Sequence, residues 1–225
     1  MPEPITTPEQ AINRAHLLTG LSIVAGPPVP ALVKVVDDVT PFLGEGNIGK
    51  QAWQVEYPRA SLKFASARPG SVDRYRRTFI AILEASTGGL FYITSTYQGE
   101  PDPDMRPMPS CGVATEQLTL EKEVYAGYPD EDPKFTFFAA LESIQNSGFG
   151  SPYLAKEIHG AYVKHSYMGS KPKPAWAITL RGLPPFAGHG PDPASIPVWQ
   201  RNHMRNIVDA MSGKVLFATN SPQPV

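Results

Sequence analysis

Along the N-terminal stretch, apolar residues recur at helical spacing: Ala11, Ile12, Ala15, Leu18 and, one turn on, Leu21. Thr7-Pro8-Glu9-Gln10 stands ahead of them. A threonine can cap, a proline suits the first helical position, and a glutamine three residues after the cap completes a capping box. The pattern predicts a helix that starts here, buries one face, and ends at Gly20, where the backbone needs a permissive residue. After a proline-rich connection, 52–57 alternates large apolar and polar residues, with Trp53, Val55 and Tyr57 on one side, the period-two signature of a half-buried strand. A second extended run, 78–83, leads through Ser86-Thr87-Gly88-Gly89 into another at 90–93, which predicts a hairpin.

The same order returns in the second half. Phe137, Phe138, Leu141 and Ile144 carry a helical period that closes near Gly148. An alternating strand follows around Trp176, and then a run from Arg205 turns at Ser212-Gly213 into 215–217. Trp53 and Trp176 lie 123 positions apart and Glu84 and Asp209 lie 125 apart, so strand and hairpin keep nearly constant spacing in the two halves. The chain reads as a duplication. Between the copies, Pro101, Pro103, Pro107 and Pro109 forbid regular hydrogen-bonded structure and favour an extended connector. The expected organisation is a first module over residues 1–100, a proline-rich linker over 101–112 and a second module over 113–225. One continuous fold in which the two sheets join has the same pattern.

Composition adds limits. With 225 residues the chain can bury one large core or two small ones. The 25 prolines and 19 glycines imply much loop, because proline is excluded from helix interiors and central strands. A net charge of -1 supplies no field for phosphate backbones, so nucleic acid is not an expected partner. The lone Cys111 permits neither an intrachain disulfide nor a thiolate zinc cluster. No apolar run is long enough to span a bilayer, and the first ten residues lack the basic and apolar regions of a signal peptide. That leaves either a cytoplasmic protein or one whose export signal has been trimmed.

Three short motifs carry a resemblance: the helix opening Pro8-Glu9-Gln10-Ala11, the strands Ala52-Trp53-Gln54-Val55 and Ala175-Trp176-Ala177-Ile178, and the hairpins that run from Glu84 to Phe91 and from Asp209 to Leu216. Together they resemble the PepSY family. The second hairpin fits best. The first departs at Gly89, and the first copy also carries a long insertion between Phe64 and Tyr75. The resemblance implies an α+β fold of two tandem modules, each an antiparallel sheet packed on a helix in a PepSY-like, cystatin-like arrangement. It also implies an extracytoplasmic, periplasmic or secreted location in the bacterial envelope, and a role in binding another protein, with a peptidase or envelope component as the partner class and inhibition or regulation as the outcome. The motif residues Trp53, Glu84, Gly88, Trp176, Asp209 and Gly213 read as structural: tryptophans filling the space between helix and sheet, glycines allowing positive φ in the turns, and Glu84 or Asp209 accepting hydrogen bonds at the turn entrance.

Candidate chemistry is sparse. His159 and His165 stand an even number of residues apart, so a strand would put both on one face as two metal ligands, but a third and fourth are not evident. His189 sits in a turn-rich loop with no nucleophile tied to it, and His203 lies near the second hairpin. Asp37-Asp38 and Asp130-Glu131-Asp132 read as solvent-facing charge, and Arg74, Arg76 and Arg77 around Tyr75 are too few for a nucleic-acid surface. The expectation is a non-enzymatic binding protein with no catalytic, metal or cofactor residues, no membrane span and no nucleic-acid partner. It would recognise its partner by strand addition to a free sheet edge, with prolines guarding the remaining edges. The alternative is a small-ligand carrier or enzyme that uses an inter-module cleft near His159, His165, His189 or His203.

Overall fold

The computed structural model describes residues 4–23, 25–35, 49–60, 62, 77–97, 129–148, 152–155, 157–166, 171–181, 183 and 203–219. Helix α1 (Pro8–Thr19) begins as its sequence predicts: the Thr7 hydroxyl accepts from the Gln10 N–H, and the Gln10 side chain accepts from the Thr7 N–H. It ends at Gly20, whose φ is 67°. Helix α2 (Phe137–Ser147) is capped by Thr136 and stops at Gly148, with φ 74°. Four strands follow each helix: β1 (Val29–Lys34), β2 (Gln51–Ala60), β3 (Arg77–Glu84) and β4 (Leu90–Tyr97), then β5 (Glu157–His165), β6 (Lys173–Arg181), β7 (His203–Asp209) and β8 (Val215–Thr219).

The expected α+β pair of tandem modules, each with its own sheet on a helix, is overturned. The described residues form one eight-stranded sheet in the order β1 to β8, antiparallel at every step, so the protein is predominantly β. The halves meet where β4 pairs with β5, through Ile93↔Gly160, Thr94↔His159 and Ser95↔Ile158. Both helices pack on the same face over a single apolar core, which runs from Leu18, Val55 and Phe79 in the first half to Phe137, Trp176 and Val208 in the second. The helices also meet end to end: a Cβ on Gly20 would lie 2.6 Å from Thr136 Oγ1, so α1 closes against the cap of α2. A strand edge left open by each half is satisfied by pairing with the other, which removes two of four exposed edges. The expected linker at 101–112 lies outside the described residues.

Within the one sheet the repeat keeps its register around the tryptophans and the hairpins, and departs from it after Tyr57, where β2 shifts against β3 and β6 runs on evenly against β7. Trp53 pairs with Leu32 and Leu83, and Trp176 pairs with Tyr162 and Val208. Each hairpin carries an extra residue at the same place, with Ile82↔Tyr92 next to Leu83↔Leu90 and Ile207↔Phe217 next to Val208↔Val215. The turns close alike, Gly88 N–H donating to Glu84 O at 2.9 Å and Gly213 N–H to Asp209 O at 2.8 Å.

Strand β1 falls in the connection that its prolines mark as loop. Val35 donates to Lys50 O and accepts from Gly49 N–H, so it bonds towards β2. With period two, Pro30, Leu32 and Lys34 direct their backbone groups to the outer side. Proline is tolerated there because the N–H it lacks would have pointed off the sheet. Pro58 in β2 sits at a register irregularity, beside Arg59 with φ 55°.

Candidate functional site: sheet edges and a polar chain on the face away from the helices

Strand β5 sorts its side chains by parity. Ile158 and Tyr162 join the main core under the helices, whereas Ala161 and Val163 belong to a separate apolar cluster with Ala175, Ala177 and Ile207. Odd-numbered residues of β5 therefore face away from the helices. His159 and His165 share that face, but six residues of strand separate them by roughly 20 Å, too far to hold one ion. His165 is buried, and its pKa is lowered by burial and by the Arg205 charge.

The same parity also puts Glu157 beside His159, a neighbour that a search for histidine pairs alone passes over. His159 Nε2 lies 3.2 Å from Glu157 Oε2, and Arg181 Nη1 lies 3.7 Å from that oxygen. His159 Nδ1 is hydrogen-bonded to the Tyr92 hydroxyl and lies 3.3 Å from Thr94 Oγ1. The Tyr92 and His159 rings stack with centroids 5.9 Å apart. The hydrogen bond to His159 holds the Glu157 carboxyl below its ordinary pKa; burial opposes this, and the His159 and Arg181 charges reinforce it. The result is a relay Arg181–Glu157–His159–Tyr92 across three strands. It can orient an imidazole and share a proton along it, with Tyr92, a buried residue, at its β4 end.

The other predicted residues are dispersed. Trp53 and Trp176 lie in the core, and each indole N–H donates to the backbone just ahead of a helix: Trp53 to Ile5 O at 3.0 Å, Trp176 to Phe135 O at 2.7 Å. Gly88 and Gly213 have φ of 67° and 73°. Asp209 Oδ1 accepts from the N–H groups of Met211 and Ser212 at the turn entrance. Glu84 instead accepts from the Thr87 hydroxyl and pairs with Lys50 at 2.9 Å. Burial alone would raise its carboxyl, but the Lys50 and Thr87 hydrogen bonds outweigh that and lower it.

Asp130-Glu131-Asp132 is exposed, as its sequence reads, and it also fastens the approach to α2. Asp132 takes a bidentate hydrogen bond from Arg14, 2.6 Å on each side, Asp130 pairs with Lys164 at 2.8 Å, and the Glu131 carbonyl accepts from the Tyr162 hydroxyl. Arg77 is fully buried and donates to the Ala155 carbonyl at 2.6 Å, so it belongs to the interior. His203 opens β7 opposite Arg181. Asp37, Asp38, Arg74, Tyr75, Arg76, Cys111 and His189 lie outside the described residues.

The sheet ends in β1 and β8. Among the described residues β1 pairs only with β2, and β8 only with β7. Val29 and Leu32 are 56% and 52% exposed on β1, and a pocket lined by Leu32, Val33, Lys34, Gly49 and Gln51 lies where the end of β1 meets the start of β2. Phe217 is exposed on β8. Among the described residues no three His, Cys, Asp or Glu side chains gather as a metal site, and no helix is long and apolar enough to cross a membrane. Compared with protein-family models, with curated proteins and with solved structures, the chain matches none.

Proposed function

We propose that this chain is a non-catalytic binding protein of the bacterial envelope that recognises another protein by adding a strand to the edge of its sheet. The observation that carries this reading is an open antiparallel sheet with a strand at each end that pairs on one side only among the described residues, one of them exposing Val29 and Leu32. An edge strand presents a row of N–H and C=O groups, which gives affinity through main-chain bonds and specificity through alternate side chains. The envelope location and the peptidase as partner class come from the PepSY resemblance.

A second reading, a small-ligand site or enzyme, draws on the Arg181–Glu157–His159–Tyr92 chain. One experiment separates them: panning a random peptide library on the immobilised protein, then mapping the selected peptides by hydrogen exchange. Slowed exchange in β1 or β8 supports strand addition. Failure to select peptides, or protection centred on His159, refutes it.

A further inference from the structure

Arg181 ends β6 on the face away from the helices, opposite Glu157 of β5. Its side chain is only 19% exposed, yet it makes no hydrogen bond among the described residues: Nε is buried without a partner, and the ion pair from Nη1 to Glu157 Oε2, at 3.7 Å, is longer than a hydrogen bond. Glu157 is satisfied from the other side. Its oxygen lies closer to His159 Nε2, at 3.2 Å, and of the groups that hold its carboxyl below the ordinary pKa the His159 hydrogen bond acts most strongly and the Arg181 charge least. A guanidinium carries five donors in a fixed fork, and one so far withdrawn from water is normally paired.

The fold does not ask for polar groups here. Leu32 holds the register place of Tyr162, each pairing with a tryptophan, so Val29 stands in the first half where His159 stands in the second. An apolar residue serves in that place, and the same four strands form. Burial also falls along this row, from buried Thr179 through Arg181 to Glu157, which is 51% exposed. The guanidinium therefore lies where the closed part of this face opens to solvent.

We propose that Arg181 is a binding site for the carboxylate of a small organic acid. Nε–H and one Nη2–H lie along the same side of the guanidinium and match the two oxygens of a carboxylate, while Nη1 stays towards Glu157. Glu157, kept ionised, sets the charge of the ligand. A singly negative group leaves one cation between two anions, whereas the double charge of a phosphate adds further repulsion. The site is on an interior strand, between β5 and β7, so it is independent of strand addition at the sheet edges, and either stands without the other.

The test titrates the nitrogen-15-labelled full chain with sodium acetate and with sodium benzoate at neutral pH, with ionic strength held constant by sodium chloride, and follows the arginine Nε–Hε signals by NMR. Arg181→Lys identifies the Arg181 signal by removing it. That signal is expected to shift saturably with either carboxylate and to bind inorganic phosphate more weakly. Arg181→Lys, which keeps the charge and loses the fork, should weaken acetate binding at least about tenfold, read from the backbone amides of β6. Glu157→Gln, which removes the neighbouring negative charge, should tighten it. The proposal is overturned if the Arg181 signal shows no saturable shift, if chloride alone moves it as far, if phosphate binds more tightly than acetate, or if Arg181→Lys with wild-type circular dichroism binds acetate as the wild type does. Should Arg181→Lys fail to fold, Glu157→Gln decides, and acetate binding that is unchanged or weaker in that variant also overturns it.

Discussion

Gly160 tests the packing that joins the halves. It lies in β5 at the strand pairing with β4, beneath α2, and a Cβ placed on it would sit 2.4 Å from Phe137 Cε2 and 3.1 Å from Cδ2. Carbon atoms in contact prefer about 3.5–4.0 Å, so the methyl or the ring must move by about 1 Å. The ring has nowhere to go: Phe137 is fully buried, edge-on to Phe79 at 6.0 Å and to Trp176 at 5.6 Å. In a strand with room, Gly→Ala would stabilise by roughly 0.4–1 kcal/mol through the unfolded chain. Here overpacking should dominate, and Gly160→Ala should cost about 1–3 kcal/mol. For a chain of this size that lowers Tm by about 2–12 °C. Urea denaturation followed by circular dichroism measures it, and Phe137→Leu in the same chain should recover part of the loss, because two touching sites are not additive. A Gly160→Ala variant as stable as the wild type or more so, or a loss that Phe137→Leu leaves untouched, would refute the close approach of β5 to α2.

Three further outcomes follow from the same structure. Arg14→Ala and Asp132→Ala should show a coupling of only about 0.5–1 kcal/mol in a double-mutant cycle, because Asp132 is 45% exposed despite its two short hydrogen bonds. Arg77→Met should cost about 1–3 kcal/mol by leaving the buried Ala155 carbonyl without its 2.6 Å donor, with faster hydrogen exchange expected at 152–155. His16 and His165 both titrate below 6.5, the first because of burial and the second because of burial and the Arg205 charge, so the unfolded chain takes up protons that the folded one resists. Stability should therefore fall as pH drops below the unfolded value of 6.5, and denaturation at about pH 7.5 and about pH 5.5 should show a smaller loss for His165→Gln. Glu84 and Glu157, held below 4.5, should lose their contribution only at more acid pH.

Local signals in the sequence settled local structure. The capping box at Thr7 and Gln10, the left-handed stops at Gly20 and Gly148, the alternation around Trp53 and Trp176 and the two glycine turns all reappear. Each depends on residues a few positions apart, or on strands joined by a short turn. The duplication was legible for the same reason, since it preserves those signals at nearly fixed spacing. The proline-bearing β1 was not, because whether a missing N–H is harmful depends on which side of the strand has a neighbour. Only the tertiary structure decided that the halves share one sheet, since the pairing of Ile93 with Gly160 spans the whole middle of the chain and leaves no periodicity of its own. The same holds for the polar chain. Parity along β5 could place Glu157 beside His159, but Tyr92 and Arg181 reach them from neighbouring strands. Arg77 shows the limit most plainly: in sequence it is one of a basic cluster, and only the fold makes it a buried donor to the turn ahead of β5.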